Sequence, residues 1–157
     1  MSEKRKKSFY WIMFAVIIVL AIVLKIYQNH FPSANVELKG QELNVLIART
    51  IYQQQKGLGD RESLDPYDGM VFIYSESKRP TMVMRDMEFS IDIVWFLDGE
   101  VVDIAPNLPL EPNVPEKQLT RYYPRKLANL VLELPAGWAQ RNNLKIGDRI
   151  RLVEDQT

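Results

Sequence analysis

The sequence predicts a mainly β (α+β) fold, a small β-barrel or sandwich with one or two short helices, preceded by a single N-terminal transmembrane helix. Three observations carry that expectation. An unbroken apolar run spans Phe9–Leu24, short strand-like runs recur through residues 36–154, and five prolines crowd residues 106–125. The 157 residues fit one domain and an appendage, because typical domains hold about 100–150 residues.

The apolar run comes first. Its sixteen residues contain neither Gly nor Pro, and Ser8–Tyr27 carries a single charge, Lys25. Twenty helical residues rise about 30 Å, the thickness of a bilayer core. Tyr10, Trp11 and Tyr27 suit the interfacial belts, and Lys25 can snorkel. Residues 1–7 therefore read as a cytoplasmic basic tail, 8–28 as the anchor and 29–35 as a linker ended by Pro32. The Lys4-Arg5-Lys6-Lys7 cluster favours a cytoplasmic amino terminus, which places residues 36–154 outside the cytoplasmic membrane, with 155–157 as a tail. A cleaved signal is the rival reading, but Lys25-Ile26-Tyr27 offers no small-residue cleavage site.

The outer domain is then read element by element. Val36–Lys39 and Glu42–Ala48 flank a Gly40-Gln41 turn and form an opening hairpin. Arg49–Lys56 lacks strand alternation and stops at Gly57, as a short helix with a glycine cap does. Met70–Tyr74 is a strand, Ser75–Pro80 a turn, and Thr81–Met87 a further strand. Ile91–Leu97 alternates Ile91, Ile93, Trp95 and Leu97 against Asp92, Val94 and Phe96. Asp98-Gly99 then joins it to Glu100–Ala105, the signature of a type I′ hairpin. Residues 106–125 form a long loop, Leu130–Leu134 a strand, Pro135–Asn142 a helical turn and Arg149–Val153 the closing strand.

Charge and composition narrow the function. The chain balances 20 basic against 20 acidic side chains, yet residues 31–157 hold 15 and 19, a net of −4. A nucleic-acid partner is therefore not expected. There is no cysteine and one histidine, His30, so thiolate sites, His-rich zinc sites and Ser-His-Asp chemistry are excluded from the expectation. No metal and no cofactor are expected. Met70, Met82, Met84 and Met87 read as core rather than a copper site, and Asp60–Asp68 as a solvated turn lacking calcium-loop spacing.

Carboxylates remain. Asp86, Asp92 and Asp103 fall on or beside neighbouring strands, where two of them in one cleft would supply a catalytic pair. Asp92 lies in an apolar run and needs a partner, for which Arg85 is nearest in type. Tyr122, Tyr123 and Arg125 follow the proline-rich loop, and Trp138 follows Pro135-Ala136-Gly137. Such residues favour binding surfaces, so Arg85, Asp86, Asp92, Tyr122, Tyr123, Arg125 and Trp138 are the expected ligand-binding set.

Several marks in order carry a family likeness: Gly57-Leu58 with Arg61, Gly69-Met70-Val71-Phe72, Met84-Arg85-Asp86, Ile91-Asp92-Ile93-Val94-Trp95, Leu132-Glu133-Leu134-Pro135-Ala136-Gly137 and Gly147-Asp148. Together they make residues 36–153 resemble the domain of unknown function 192 family, whose members are often membrane-anchored or secreted. The sequence departs from the family pattern at Val83-Met84-Arg85-Asp86-Met87, at Ser90 and at Gly59. The resemblance implies a compact, mainly β fold and no established reaction. Leu144–Leu152 also resembles the glycine-aspartate box of small β-barrels, in which the aspartate caps backbone N–H groups. The expected function is a membrane-anchored, non-catalytic ligand- or partner-binding module of the cell envelope. The alternative is an envelope hydrolase using paired carboxylates among Asp86, Asp92 and Asp103, acting on glycan.

Overall fold

A computed structural model describes residues 3–153 of the chain, except the side chains of residues 3–8, 26, 28 and 29. The expected tail at 155–157 lies outside the described residues. The described residues divide into two units, one ending at His30 and one beginning at Phe31.

The first unit is one helix, α1 (Glu3–Asn29). The apolar side chains described from Phe9 to Leu24 are exposed around its whole circumference. Among the described residues, no helix is long and apolar enough to cross a membrane. The transmembrane span expected at residues 8–28 is therefore not shown, although the helix expected there is.

The second unit is mainly β. It contains β1 (Ser33–Leu38), β2 (Gln41–Ala48), α2 (Ile51–Lys56), β3 (Gly69–Lys78), β4 (Ile91–Leu97), β5 (Glu100–Leu108), β6 (Ala128–Pro135), α3 (Trp138–Arg141) and β7 (Ile150–Leu152). The seven strands form one sheet in the order β5-β4-β6-β3-β2-β1-β7. All ladders are antiparallel except β2 with β3, which α2 connects. The outer strands meet where Glu100 bridges Arg149, where Val101 N donates to Asp148 O at 2.8 Å and where Ile150 N donates to Gly99 O at 2.9 Å. The sheet thus curls into a half-barrel rather than splitting into a sandwich.

Local sequence explains most of these elements. Asp98 and Gly99 both take positive φ, 49° and 79°, as the type I′ turn between β4 and β5 requires. Thr50 caps α2 by accepting from Gln53 N, and the Gln53 side chain accepts in return from the Thr50 backbone. Asp148 Oδ2 accepts from Lys145 N at 2.7 Å, the capping role expected of the glycine-aspartate box.

Two expectations are corrected. Thr81–Met87 is not a strand: Met82 alone makes an isolated bridge, to Tyr122, and the rest of the segment is irregular with a turn at Arg85-Asp86. Ser75–Pro80 is not a turn, because β3 runs on to Lys78. The alternation expected in β4 sets two groups of side chains on opposite faces. Both faces are buried, since Ile91, Ile93 and Trp95 join one apolar cluster while Val94 and Phe96 join another. The second cluster is closed by Trp138 and Ala139 of α3; the first packs Leu58, Leu64, Met82 and Met84 from the long connections over the sheet.

Candidate functional site

Asp92 is fully buried, and its partners are backbone groups. Oδ1 accepts from Asn107 N at 2.8 Å and Gly137 N at 3.0 Å, and Oδ2 accepts from Ala139 N at 2.8 Å. The carboxylate therefore ties β5 and the start of α3 to β4. Arg85, expected as its partner, instead forms a fork with Glu116, with Nε to Oε2 and Nη2 to Oε1 both at 2.5 Å, and donates to Gln55 O at 2.9 Å. The side-chain bond to Glu116 raises the Arg85 pKa further. The Arg85–Asp92 pairing is thus a correction: a fork of backbone N–H groups already surrounds the aspartate.

The three candidate carboxylates do not converge. Asp103 lies directly opposite Trp95 in the β4–β5 ladder and shares its face. Asp92, three residues from Trp95 on the same strand, points to the other face. Asp86 is exposed in a turn at φ 52°, where its carbonyl accepts from Asp60 N at 2.7 Å. Trp138 is buried in the cluster under α3 and presents no binding surface.

Tyr122, Tyr123 and Arg125 do come together. With Trp95, Asp103 and Arg121 they line an open concavity of about 450 Å³ beside β5. Asp103 accepts from Arg125 Nη2 at 2.6 Å and Arg125 N at 2.7 Å, and from Ile104 N at 3.0 Å. Burial opposes its ionisation, but these donors outweigh it and hold the carboxyl below its ordinary range.

The most unusual group is one that the sequence reading passed over. Glu133 lies on β6, between β4 and β3, opposite Ile93 on one side and Met70 on the other. It shares their face, is only 4% exposed, and its Oε2 has no hydrogen-bond partner. Removal from water pushes its pKa up to about 8. An acid inside the run Leu130–Leu134 was a legible signal, the same one that drew attention to Asp92.

Glu133 lines a cavity of about 270 Å³. Leu58, Phe72, Tyr74 and Met82 supply apolar wall, and Lys78 and Arg85 supply cations. Gln54 of α2, another lining residue, is pinned by Nε2 donating to Ile73 O at 2.8 Å. Tyr74 donates its hydroxyl to Met82 Sδ at 3.8 Å, and its ring lies 4.1 Å from Lys78 Nζ. Burial first, and Glu133 second, push its pKa up to about 12. A protonated Glu133 can donate as well as accept, whereas an ionised one only accepts. Among the described residues, no group of three or more His, Asp or Glu side chains is arranged to hold a metal ion.

The profile of the domain of unknown function 192 family, described as an uncharacterised ACR, matches residues 34–152. No curated protein matches. One similar solved structure, described provisionally as a transcription regulator from Sinorhizobium meliloti 1021, is 26% identical with a TM-score of 0.69, over 78% of this chain and 95% of that one. Another, a protein of unknown function from Novosphingobium aromaticivorans DSM 12444, is 29% identical with a TM-score of 0.63, over 77% and 84% of the two chains.

Proposed function

The chain belongs to the domain of unknown function 192 family, which brings no reaction with it, and we propose that it is a membrane-anchored, non-catalytic module that binds a small polar ligand. The observation that carries this reading is Glu133: a buried carboxyl lacking a partner on Oε2, in the wall of a cavity. Buried polar atoms are nearly always hydrogen-bonded, so an orphan beside a cavity favours a ligand that completes it. The ligand that fits is small and polar, with at least one group able to hydrogen-bond a carboxyl. Paired-carboxylate hydrolysis loses support, because Asp92 and Asp103 occupy opposite faces and each is saturated by its own donors.

Anchoring through residues 8–28 is part of the same proposal. A helix apolar on every side needs lipid or protein around it, and α1 exposes Phe9–Leu24 all round. The basic cluster at residues 4–7 supports a cytoplasmic amino terminus and a domain in the envelope outside the membrane. A nucleic-acid role is not carried over from the Sinorhizobium protein, since residues 31–157 have a net charge of −4.

A thermal-shift screen of the full chain in detergent against envelope sugars and small polar metabolites tests the ligand reading. Binding stabilises the native state by about 2.7 kcal/mol at a hundredfold excess over Kd. A dose-dependent shift that disappears in Glu133→Ala supports the site. A shift unchanged in that variant overturns it.

A further inference from the structure

We propose that the Glu133 cavity takes a small organic acid, whose carboxylate is held by the Lys78 ammonium and the Tyr74 hydroxyl and receives a hydrogen bond from the Glu133 carboxyl. This assignment rests on the cavity being the ligand site. Glu133 makes no side-chain hydrogen bond among the described residues, and of its two oxygens only Oε2 is wholly enclosed. Oε1 is therefore the atom that Glu133 presents to the cavity it lines. On β3, Met70, Phe72 and Tyr74 alternate onto the face that Glu133 shares, which sets Tyr74 in the same wall. The Tyr74 hydroxyl reaches the Met82 sulfur at 3.8 Å. A thioether accepts weakly, so a ligand oxygen is the better partner.

The cations of the lining differ. Lys56 pairs with Asp60, and Arg85 pairs with Glu116. Lys78 is exposed, sets its ammonium over the Tyr74 ring and has no carboxylate partner among the described residues. Glu133 is the one acid among the residues lining the cavity, and removal from water keeps it protonated until the pH passes about 8. A cationic ligand would meet three cations and an uncharged acid. A carboxylate meets one unpaired ammonium and two O–H donors, Tyr74 and Glu133. The other groups around Glu133 are apolar: Met70 and Ile93 opposite it on the neighbouring strands, and Leu58, Phe72 and Met82 in the cavity wall. A volume of about 270 Å³, at the low end for ligand pockets, suits a small acid. Ionising Glu133 removes one donor and sets a like charge beside the ligand, so binding weakens as the pH rises past about 8.

The test is a calorimetric titration of the full chain in detergent micelles at pH 6 and pH 9. Lactate, glycerate and 3-hydroxybutyrate are the probes, with lactamide, glycerol, ethanolamine and inorganic phosphate for comparison. At least one of the three acids is expected to bind at pH 6, and to bind about tenfold more weakly at pH 9, where about a tenth of Glu133 keeps its proton. Glu133→Gln retains a donor at every pH, so its affinity for the acid is expected to be the same at both. Lys78→Gln alters an exposed side chain and is expected to weaken the acid at least about tenfold, as loss of a charged hydrogen bond does. Failure of all three acids to bind, equal affinity for phosphate, wild-type affinity in Lys78→Gln, equal wild-type affinity at the two pH values, or a loss at pH 9 that persists in Glu133→Gln each overturns the assignment. Binding of lactamide, glycerol or ethanolamine alone, abolished by Glu133→Ala, overturns the carboxylate and keeps the cavity as the ligand site. Binding of an acid that Glu133→Ala leaves unchanged overturns both.

Discussion

Two buried acids of β4 and β6 show how differently a carboxyl can be accommodated. Asp92 has three backbone donors aimed at its two oxygens, whereas Glu133 has an orphaned Oε2. Asp92→Asn turns an amide NH₂ toward N–H groups that already donate, and is expected to lower stability by about 1–3 kcal/mol in urea denaturation. For Glu133 the sign of the pH dependence follows from its raised pKa of about 8, against an unfolded value near 4.5. Between those values the folded chain holds a proton that the unfolded chain releases. Stability therefore falls as pH rises through that window, by about 1.4 kcal/mol per pH unit at its steepest. Glu133→Gln removes the titrating group, so its melting temperature should exceed that of the wild type at pH 8.5 and lose the advantage at pH 5. Both acids are charges in apolar runs of the sequence, although only Asp92 is singled out from it, and which one is satisfied was not legible. That depends on α3 and on Asn107, whose backbone reaches Asp92 only after the strands have paired.

Elements set by neighbours in sequence were the readable ones. The Asp98-Gly99 hairpin, the opening β1–β2 hairpin and the Gly57-capped α2 form where turn chemistry and pattern place them. Thr50→Ala removes one half of the α2 capping box and is expected to cost about 1 kcal/mol, read by thermal melting. Thr81–Met87 misled because its apolar residues are buried without a ladder: Met82 and Met84 fill the core from an irregular segment whose sole β-bridge among the described residues is the one from Met82 to Tyr122. Gly69 carries a constraint visible only across strands. A Cβ there would stand 2.4 Å from the Glu133 carbonyl oxygen, in the β3–β6 ladder. Gly69→Ala must push those strands apart, and a loss of about 1–3 kcal/mol is expected, as for other overpacked cores, with the Glu133 cavity distorted as well.

The chain comprises an apolar helix and a half-barrel that carries the Glu133 cavity. Anchoring predicts that the full chain stays in the membrane pellet after alkaline carbonate washing, while a version lacking residues 1–29 is released to the supernatant. Recovery of the full chain in the supernatant would remove the anchor from the proposal. By itself, the sequence determined the mainly β class, the tightest turns, the short helix after β2 and the apolar run at the amino terminus. These follow from backbone preferences and periodicity within a few residues. Only the tertiary structure decided the strand order, which inserts β6 between β3 and β4 and so buries Glu133 from both sides. It also decided that Arg85 pairs with Glu116, that Asp103 pairs with Arg125, and that Asp92 and Asp103 face apart. The partnerships behind them reach from 22 positions, for Asp103 and Arg125, to 63, for Met70 and Glu133, and no local pattern encodes which distant partner the sheet brings alongside.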